Sequence, residues 1–154
     1  MVLVSEYRNI KLMLTGLICA PIFGYLCAGG LKFILNCIRT RTVTVAHIGM
    51  GGMPSTHNSI TATTASIVGF VHGFDTPAFS IALALVLIVL IDSLDLRNKV
   101  SKHARAINNI NVFHACELAQ LSEKLGHTKT EACAGLILGA VVGASLSYVS
   151  AILV

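Results

Sequence analysis

Residues 81–91 read Ile81-Ala-Leu-Ala-Leu-Val-Leu-Ile-Val-Leu-Ile91, an unbroken apolar run with neither a charge nor a glycine. The apolar character extends over residues 77–96, and a helix needs about 20 such residues to cross a bilayer. The chain of 154 residues is 55% hydrophobic and 12% charged, whereas soluble domains carry about 25% charged residues. We therefore predict an all-α membrane protein whose residues 1–154 form a single domain.

Three further stretches complete a predicted bundle of about four transmembrane helices. Residues 12–35 are apolar and long enough to span a bilayer, and we expect them to be retained rather than cleaved as a signal peptide. Residues 58–72 contain several Ser and Thr residues, which is typical of a helix packed inside a bundle. Residues 130–154 form the last predicted span.

The last predicted span carries a stripe of glycines. Gly135, Gly139 and Gly143 recur every four residues and so share one helix face. Small residues at this spacing allow the backbones of two membrane helices to approach closely. We therefore expect the stripe to make a helix–helix contact.

The connecting segments determine where the polar residues lie. Residues 73–77 predict a tight turn, in which Pro77 opens the next helix. Residues 36–57 form a polar, glycine-rich connection. Residues 97–125 carry apolar side chains near a helical period, which predicts an amphipathic helix at the membrane surface or over the bundle. Alternation of four spans then places residues 36–57 and 97–129 on the same side of the membrane.

A glycine-rich heptapeptide, Gly51-Gly52-Met53-Pro54-Ser55-Thr56-His57, stands on that side. Glycines allow backbone N–H groups to turn toward an anion, and Ser and Thr add hydroxyl donors. A helix that begins here would direct the positive end of its dipole at the same point. The heptapeptide predicts an oxyanion cradle in which His57 transfers a proton, although a lone histidine fits a structural role equally well.

His127 and Glu131 are four residues apart and would share one face of a helix. A carboxylate in this position can keep one imidazole nitrogen protonated and leave the other free to attack an electrophile. An ordinary acidic residue in the first turn of a helix would give the same spacing, because it favours the helix dipole. The spacing alone leaves both interpretations open.

Several cations lie on the same predicted side, among them Lys32, Arg39 and Arg97. Ionisable groups near membrane depth are candidates for function. The alternatives are that Lys32 extends to the interface and that Arg39 only sets the topology. Cations, a nucleophile and a proton donor together are what phosphoester cleavage requires.

Other classes of site and partner find little support. The five cysteines lack C-x-x-C spacing, which argues against a zinc site or a disulfide framework. The net charge of +4 comes from basic residues that are not interleaved with aromatic ones, so no nucleic-acid partner is expected. We predict no metal and no cofactor. The expected partners are a lipid phosphate substrate and membrane lipids, and a homo-oligomer is left open.

These residues resemble the superfamily of type 2 phosphatidic acid phosphatases and vanadium-dependent haloperoxidases. Its motifs are K-x6-R-P, P-S-G-H and S-R-x5-H-x3-D. Lys32 and Arg39 have the spacing of the first motif, residues 54–57 match the second with Thr for Gly, and His127 and Glu131 match the end of the third with Glu for Asp. The chain departs from the motifs at Thr40, which replaces proline, and at Leu121, which replaces the arginine of the third motif.

The departures are themselves similar to a divergent branch of this superfamily, described as acid phosphatase/vanadium-dependent haloperoxidase-related. That branch has G-G-M-P-S-S-H, D-x4-R, Q-A-x3-N and L-G-H-T-x2-E-x3-G in this order. The matching positions are residues 51–57, Asp92 with Arg97, Ala104 with Asn108, and residues 125–135. The chain differs from the branch at Asn58, Asp95, Asn98 and His103.

The resemblance implies a helical bundle with phosphatase activity. His127 would be the nucleophile, Glu131 its orienting partner and His57 the general acid. The residues implied to hold the phosphate are Lys32, Arg39, Ser55 and Thr56, with Gly51, Gly52 and Asp92 in support and Arg97 or Lys102 as the missing cation.

The expected reaction is metal-independent hydrolysis of a lipid phosphate through a phosphohistidine, with phosphatidylglycerophosphate, phosphatidate or prenyl diphosphate as substrate. Nine of the eleven Lys and Arg residues, all but Arg8 and Lys11, lie on the side of the site. The positive-inside rule then predicts a site on the cytoplasmic side of the inner (cytoplasmic) membrane. The alternatives are a catalytically inactive protein that binds lipid or anions or assists assembly, and an anion transporter.

Overall fold

The computed structural model describes residues 2–41, 43, 52–114, 120–123 and 125–153. It contains α1 (Val2–Thr40), α2 (Thr56–His72), α3 (Pro77–Ile91), α4 (Arg97–His114) and α5 (Lys129–Leu153), and a π-helical turn (Asp92–Leu96) that joins α3 to α4. None of the described residues forms a strand. The predicted all-α fold is therefore confirmed.

Among the described residues, three helical stretches are long and apolar enough to cross a membrane: Gly16–Thr40, Pro77–Ile110 and Lys129–Ile152. In α3, Val86 alone is buried, and the other apolar side chains of this helix are partly or fully exposed. Water solvates such a surface poorly. The bundle therefore has the surface of an integral membrane protein.

The fourth predicted span, α2, lies inside the bundle, as its sequence predicts. Its buried residues include Asn58, Ser59, Thr63 and Ile67. The buried hydroxyls satisfy their hydrogen bonds internally, since Oγ of Ser59 donates to the carbonyl oxygen of Gly135 at 3.0 Å and Oγ1 of Thr63 donates to that of Ser59 at 2.8 Å. With 17 residues, α2 is shorter and more polar than the three stretches above.

The glycine stripe of α5 packs against the backbone of α2, as predicted. A Cβ atom at Gly135, Gly139 or Gly143 would lie within 3.0 Å of a backbone oxygen of α2 or its cap. Side chains larger than hydrogen would push the two helices apart. Close packing against α5 therefore fixes the position of the N-terminal end of α2.

The predicted connection over residues 36–57 is shorter than its sequence indicates. Helix α1 continues to Thr40, whose Oγ1 donates to the carbonyl oxygen of Asn36 at 2.8 Å. Arg41 then has φ of 54°, a left-handed conformation in which helices commonly end. Because residues 36–40 contain neither glycine nor proline, the helix has no reason to stop at Leu35.

The turn over residues 73–77 forms as predicted. Oγ1 of Thr76 accepts a hydrogen bond from the backbone N–H of Phe79, and Pro77 occupies the first turn of α3. Gly73 has φ of 101°, where an L side chain would be strained. The chain therefore reverses here between α2 and α3.

The amphipathic helix predicted over residues 97–125 is also shorter than expected. Helix α4 runs from Arg97 to His114, in continuation of α3 through the π-helical turn. Residues 120–123 and 125–128 are not helical. Leu121, Glu123, Leu125 and His127 of this stretch are hydrogen-bonded to side chains of α4, an arrangement that helical periodicity does not reveal.

Candidate active site

Lys32 lies near the C-terminal end of α1 and is 8% exposed. Its Nζ atom donates a hydrogen bond of 3.1 Å to Oγ1 of Thr56, the first residue of α2. A buried ammonium group is costly unless an anion or dipole stabilises it. The structure thus places a buried cation directly at the N-terminus of α2.

The N-terminus of α2 lacks a side-chain cap. Ser55 occupies the N-cap position, with φ of −67° and ψ of 115°, and its side chain accepts no hydrogen bond from the first turn. Its Oγ is buried and has no hydrogen-bond partner among the described residues. Because the first N–H groups of a helix have no intrahelical acceptor, this end of α2 presents donors that an anion can occupy.

The turn before α2 holds this end against α5. The backbone N–H of Ser55 donates to the carbonyl oxygen of Glu131 at 3.0 Å. Gly52 has φ of 133°, which accords with the predicted glycine turn. Gly51, predicted as a supporting residue, lies outside the described residues.

His127 immediately precedes the first turn of α5, and its side chain is 10% exposed. Its Nδ1 lies 3.4 Å from Oε2 of Glu131, a distance longer than an ordinary hydrogen bond. The backbone N–H of His127 donates to the carbonyl oxygen of Ser93 in the π-helical turn at 3.2 Å. His127 and Glu131 therefore lie side by side, but Nδ1 of His127 makes no hydrogen bond within the described part of the chain. The backbone of His127 is tied to the π-helical turn at the end of α3.

Glu131 also caps α5. Its Oε2 accepts a hydrogen bond of 2.8 Å from the backbone N–H of Thr128, and Oγ1 of Thr128 accepts one of 3.3 Å from the N–H of Glu131. This is the reciprocal arrangement of a capping box. The T-x-x-E spacing of Thr128 and Glu131 is a sequence signal for this arrangement that the motif comparison passed over.

Burial lowers the pKa of His127 below the ordinary value of 6.5, and the charges of Lys32 and Arg97 lower it further. Glu131 opposes these effects, because its carboxylate stabilises the protonated ring. The net shift of the pKa is downward, so the imidazole is neutral at pH 7. A neutral imidazole retains a lone pair with which to attack an electrophile.

Arg97 begins α4 and is paired with Asp92 across the π-helical turn. Its Nε lies 2.6 Å from Oδ2 of Asp92, and its side chain is 36% exposed. Arg97 is close enough to act electrostatically on both His57 and His127. Short π-helical segments are frequent at functional sites, because they redirect side chains.

Two further predicted site residues, His57 and Arg39, lie at the ends of α2 and α1. His57 lies in the first turn of α2, exposed and within electrostatic range of Lys32, Arg97 and His127. Arg39 is exposed in the last turn of α1.

Lys102 lies apart from this group. It lines a groove of about 410 Å³ with Asp95, Asn98, Lys99 and Arg105, and none of the histidines of the site borders that groove. Of the two cations predicted to replace the missing arginine, the geometry therefore favours Arg97.

Within the described part of the chain, no group of three or more His, Cys, Asp or Glu side chains is placed to hold a metal ion. The polar groups at this end of the bundle are instead suited to a small oxyanion. They supply one buried ammonium group, helix N–H donors and one unpartnered hydroxyl, with a neutral histidine beside them.

The fold defines a polytopic helical membrane protein, and this group of residues forms a candidate anion site at one end of its bundle. The chain matches the divergent PAP2 family over residues 14–142 and belongs to that family. It is also similar to a Bacillus subtilis (strain 168) protein described as the uncharacterized membrane protein YuiD, with 26% identity over 113 residues, covering 64% of this chain and 72% of that protein. No solved structure matches the chain at a significant level.

Proposed function

We propose that this protein hydrolyses the phosphoester of a membrane lipid, with His127 as the nucleophile. The observation that carries the proposal is the meeting of three features at one end of the bundle. These are the buried ammonium group of Lys32, the uncapped N-terminus of α2, and a neutral His127 beside Glu131. Membership of the divergent PAP2 family supports a relation to phosphatases.

The phosphoryl group would bind between Lys32 and the N-terminus of α2. Oγ of Ser55, which has no partner among the described residues, would donate to a phosphate oxygen. Hydrogen bonds from charged donors to phosphate oxygens are stronger than those between neutral groups. Arg97 would add a second positive charge as negative charge develops on the phosphoryl oxygens.

In the first chemical step, Nε2 of His127 attacks phosphorus and the bond to the lipid oxygen breaks. Burial and the charges of Arg97, His127 and Lys32 lower the pKa of His57, so in this step the bound phosphate dianion would hold the ring protonated. His57 then donates that proton to the lipid oxygen, and the lipid leaves as an alcohol. Glu131 holds the proton on Nδ1 of the phosphohistidine. In the second step, water attacks phosphorus, His57 takes the proton of that water, and the phosphohistidine bond breaks to release inorganic phosphate.

The substrate class follows from the position of the site at the end of membrane-spanning helices. A lipid phosphate can keep its acyl or prenyl chains in the bilayer while its headgroup reaches Lys32. Phosphatidylglycerophosphate, phosphatidate and prenyl diphosphate are the candidates. The excess of Lys and Arg at this end favours the cytoplasmic face of the membrane, which would make lipids of the inner leaflet the substrates.

A second candidate function rests on the capping bonds of Glu131. Because this carboxylate accepts the N–H of Thr128, a helix cap would explain its presence without any catalytic role. The protein would then bind a lipid phosphate or another anion without turnover, as a binding or assembly factor. The two functions differ in whether phosphate is released.

The test is release of inorganic phosphate from the three candidate lipids by the purified protein in lipid nanodiscs, with chelator present. We expect His127→Ala to abolish release and His57→Ala to slow it on the order of 10²–10⁴-fold. His72→Ala is the matched control, since His72 lies at the opposite end of α2 from His57. Unchanged release by His127→Ala would contradict the mechanism, and binding without release would favour the second function.

A further inference from the structure

A non-helical segment, residues 120–123 and 125–128, leads into His127 and lies along α4; we call it the return segment. Asn98, Ser101 and Asn108 of α4 bind it, and their separations of three and seven residues place them on one side of the helix. The order of contacts is antiparallel, because Asn108 binds Leu121 and Asn98 binds His127. The return segment is therefore aligned with α4 over its described length.

Asn108 makes the most complete of these contacts. Its Oδ1 accepts from the backbone N–H of Leu121 at 2.9 Å, and its Nδ2 donates to the carbonyl oxygen of Leu121 at 2.9 Å and to Oε1 of Glu123 at 2.8 Å. The residue is 6% exposed. An amide side chain is the group that can both donate to and accept from one backbone unit.

The two other contacts lie closer to His127. Oγ of Ser101, which is buried, accepts from the N–H of Leu125 at 3.1 Å and donates to the carbonyl oxygen of Arg97 at 2.9 Å. Nδ2 of Asn98 donates to the carbonyl oxygen of Leu94 at 2.7 Å and lies 3.4 Å from that of His127. Side chains of α4 thus supply hydrogen-bond partners to the backbone of this non-helical segment.

The dimensions of the two elements agree. From Asn108 to Ser93, an α-helix rises about 22 Å at 1.5 Å per residue. From Leu121 to His127, the chain can span at most about 20 Å at 3.3 Å per residue. Attachment of the segment at Asn108 therefore leaves little slack at the point where the N–H of His127 meets the carbonyl oxygen of Ser93.

We propose that Asn108 is a positioning residue for His127, acting through the return segment from about 20 Å away. The inference rests on the proposed function, in which His127 is the nucleophile. Asn108 does not touch the phosphate; it determines where the segment begins, and Ser101 and Asn98 carry that register to the histidine. Loss of Asn108 would let His127 move relative to Lys32 and the N-terminus of α2.

The first arm of the test measures the position of His127 without any substrate. The nuclear magnetic resonance signal of isotope-labelled His127, assigned by its absence in His127→Ala, is recorded in nanodiscs. We expect Asn108→Ala to shift and broaden this signal. Asn109→Ala is the matched control, because Asn109 is the exposed neighbour of Asn108 on α4. An unchanged His127 signal in folded Asn108→Ala would overturn the proposal.

The second arm measures phosphate release. We expect Asn108→Ala to lower kcat on the order of 10- to 100-fold, as for a small misplacement of a reacting group, while KM changes little. If Asn108→Ala lowered the affinity for phosphate by the same factor as kcat, the positioning role would be overturned. Because the first arm needs no turnover, it tests the docking of His127 even if the proposed phosphatase activity is absent.

Ser101→Ala is a second variant that tests the proposal even if Asn108→Ala fails to fold. It removes the bond to the N–H of Leu125 and leaves that to Leu121 in place. We expect it to move the His127 signal in the same direction as Asn108→Ala, by a smaller amount. If Asn109→Ala shifted the His127 signal as much as Asn108→Ala and Ser101→Ala do, these contacts would have no specific role.

Discussion

The Nζ atom of Lys32 donates a hydrogen bond of 3.1 Å to Oγ1 of Thr56, which links the first membrane-spanning helix to the first residue of α2. The two residues are 24 positions apart. This bond places a buried positive charge where the N–H groups of α2 converge. The candidate anion site at the end of α2 therefore has two independent sources of positive potential.

Lys32→Met should weaken anion binding by more than tenfold, because it removes a charge-assisted hydrogen bond worth about 1.5–3 kcal/mol. The measurement is the inhibition constant for vanadate, or the dissociation constant for inorganic phosphate where turnover is absent. Lys99→Met is the control, since Lys99 is an exposed lysine paired with Asp95. Equal affinities of Lys32→Met and the wild type would contradict a role of Lys32 in binding.

Glu131→Gln separates the two roles of this carboxylate. Glutamine can still occupy the third position of a capping box, whereas it cannot stabilise a positively charged imidazole. We expect the midpoint of thermal unfolding to stay within a few degrees, and phosphate release to fall on the order of tenfold or more. Full activity in Glu131→Gln would show that this residue serves only as a cap.

The pH dependence of phosphate release should reflect the lowered pKa of His127. His127 is neutral above its lowered pKa, so the acidic limb that it sets in the pH profile should lie below pH 6.5. His57 must carry a proton and therefore sets a separate alkaline limb. In Glu131→Gln, the influence that raises this pKa is removed, so the acidic limb should move to lower pH. A shift of this limb to higher pH would be inconsistent with the proposed role of the carboxylate.

Arg97→Ala should reduce phosphate release far more than Lys102→Ala. Arg97 acts electrostatically on both histidines, whereas Lys102 lines a separate groove. We expect a loss on the order of 10²-fold for Arg97→Ala, by analogy with removal of one donor that stabilises developing negative charge. Equal losses in the two variants would mean that the groove beside Lys102 belongs to the site.

Gly139→Leu should destabilise the bundle, because a Cβ atom there would already meet the backbone of α2 within 3.0 Å. Overpacking of this kind typically costs about 1–3 kcal/mol. Gly30→Ala is the control, since a Cβ atom at Gly30 meets nothing within 4 Å. Thermal unfolding in detergent measures both; a Gly139→Leu variant as stable as Gly30→Ala would contradict the packing role of the stripe.

Sequence patterns predicted the features that depend on the spacing of residues along a single helix. The glycine stripe and the polar, buried character of α2 are of this kind, because residue spacing alone determines a helix face. Alternation of the spans predicted that Lys32 and the start of α2 lie on the same side of the membrane, but not the bond between Lys32 and Thr56. The four-residue spacing predicted that His127 and Glu131 share a face, and the family motifs then implied their roles.

Sequence patterns did not predict the hydrogen bonds between a side chain and a backbone group that is far away in the sequence. The bonds of Asn108 to Leu121 and Glu123 join residues 13 and 15 positions apart, and no sequence period relates residues at these separations. The end of α1 was missed because no residue marks it before Arg41. The T-x-x-E spacing of Thr128 and Glu131 indicates a capping box, but Glu131 was interpreted only through the H-x3-E match with His127.

The π-helical turn Asp92–Leu96 has a consequence for insertions and deletions. A π-helical turn holds about one residue more than an α-helical turn of the same rotation, because its backbone hydrogen bonds join residues five apart and not four. Deleting one residue from this turn would let it close as ordinary α-helix, with α3 and α4 in nearly the same rotational relation. Deleting a residue elsewhere in α3 or α4 would turn the helix beyond that point by about 100°. The π-helical turn is thus the place where the chain can lose a residue and still keep Ser101 and Asn108 facing the return segment.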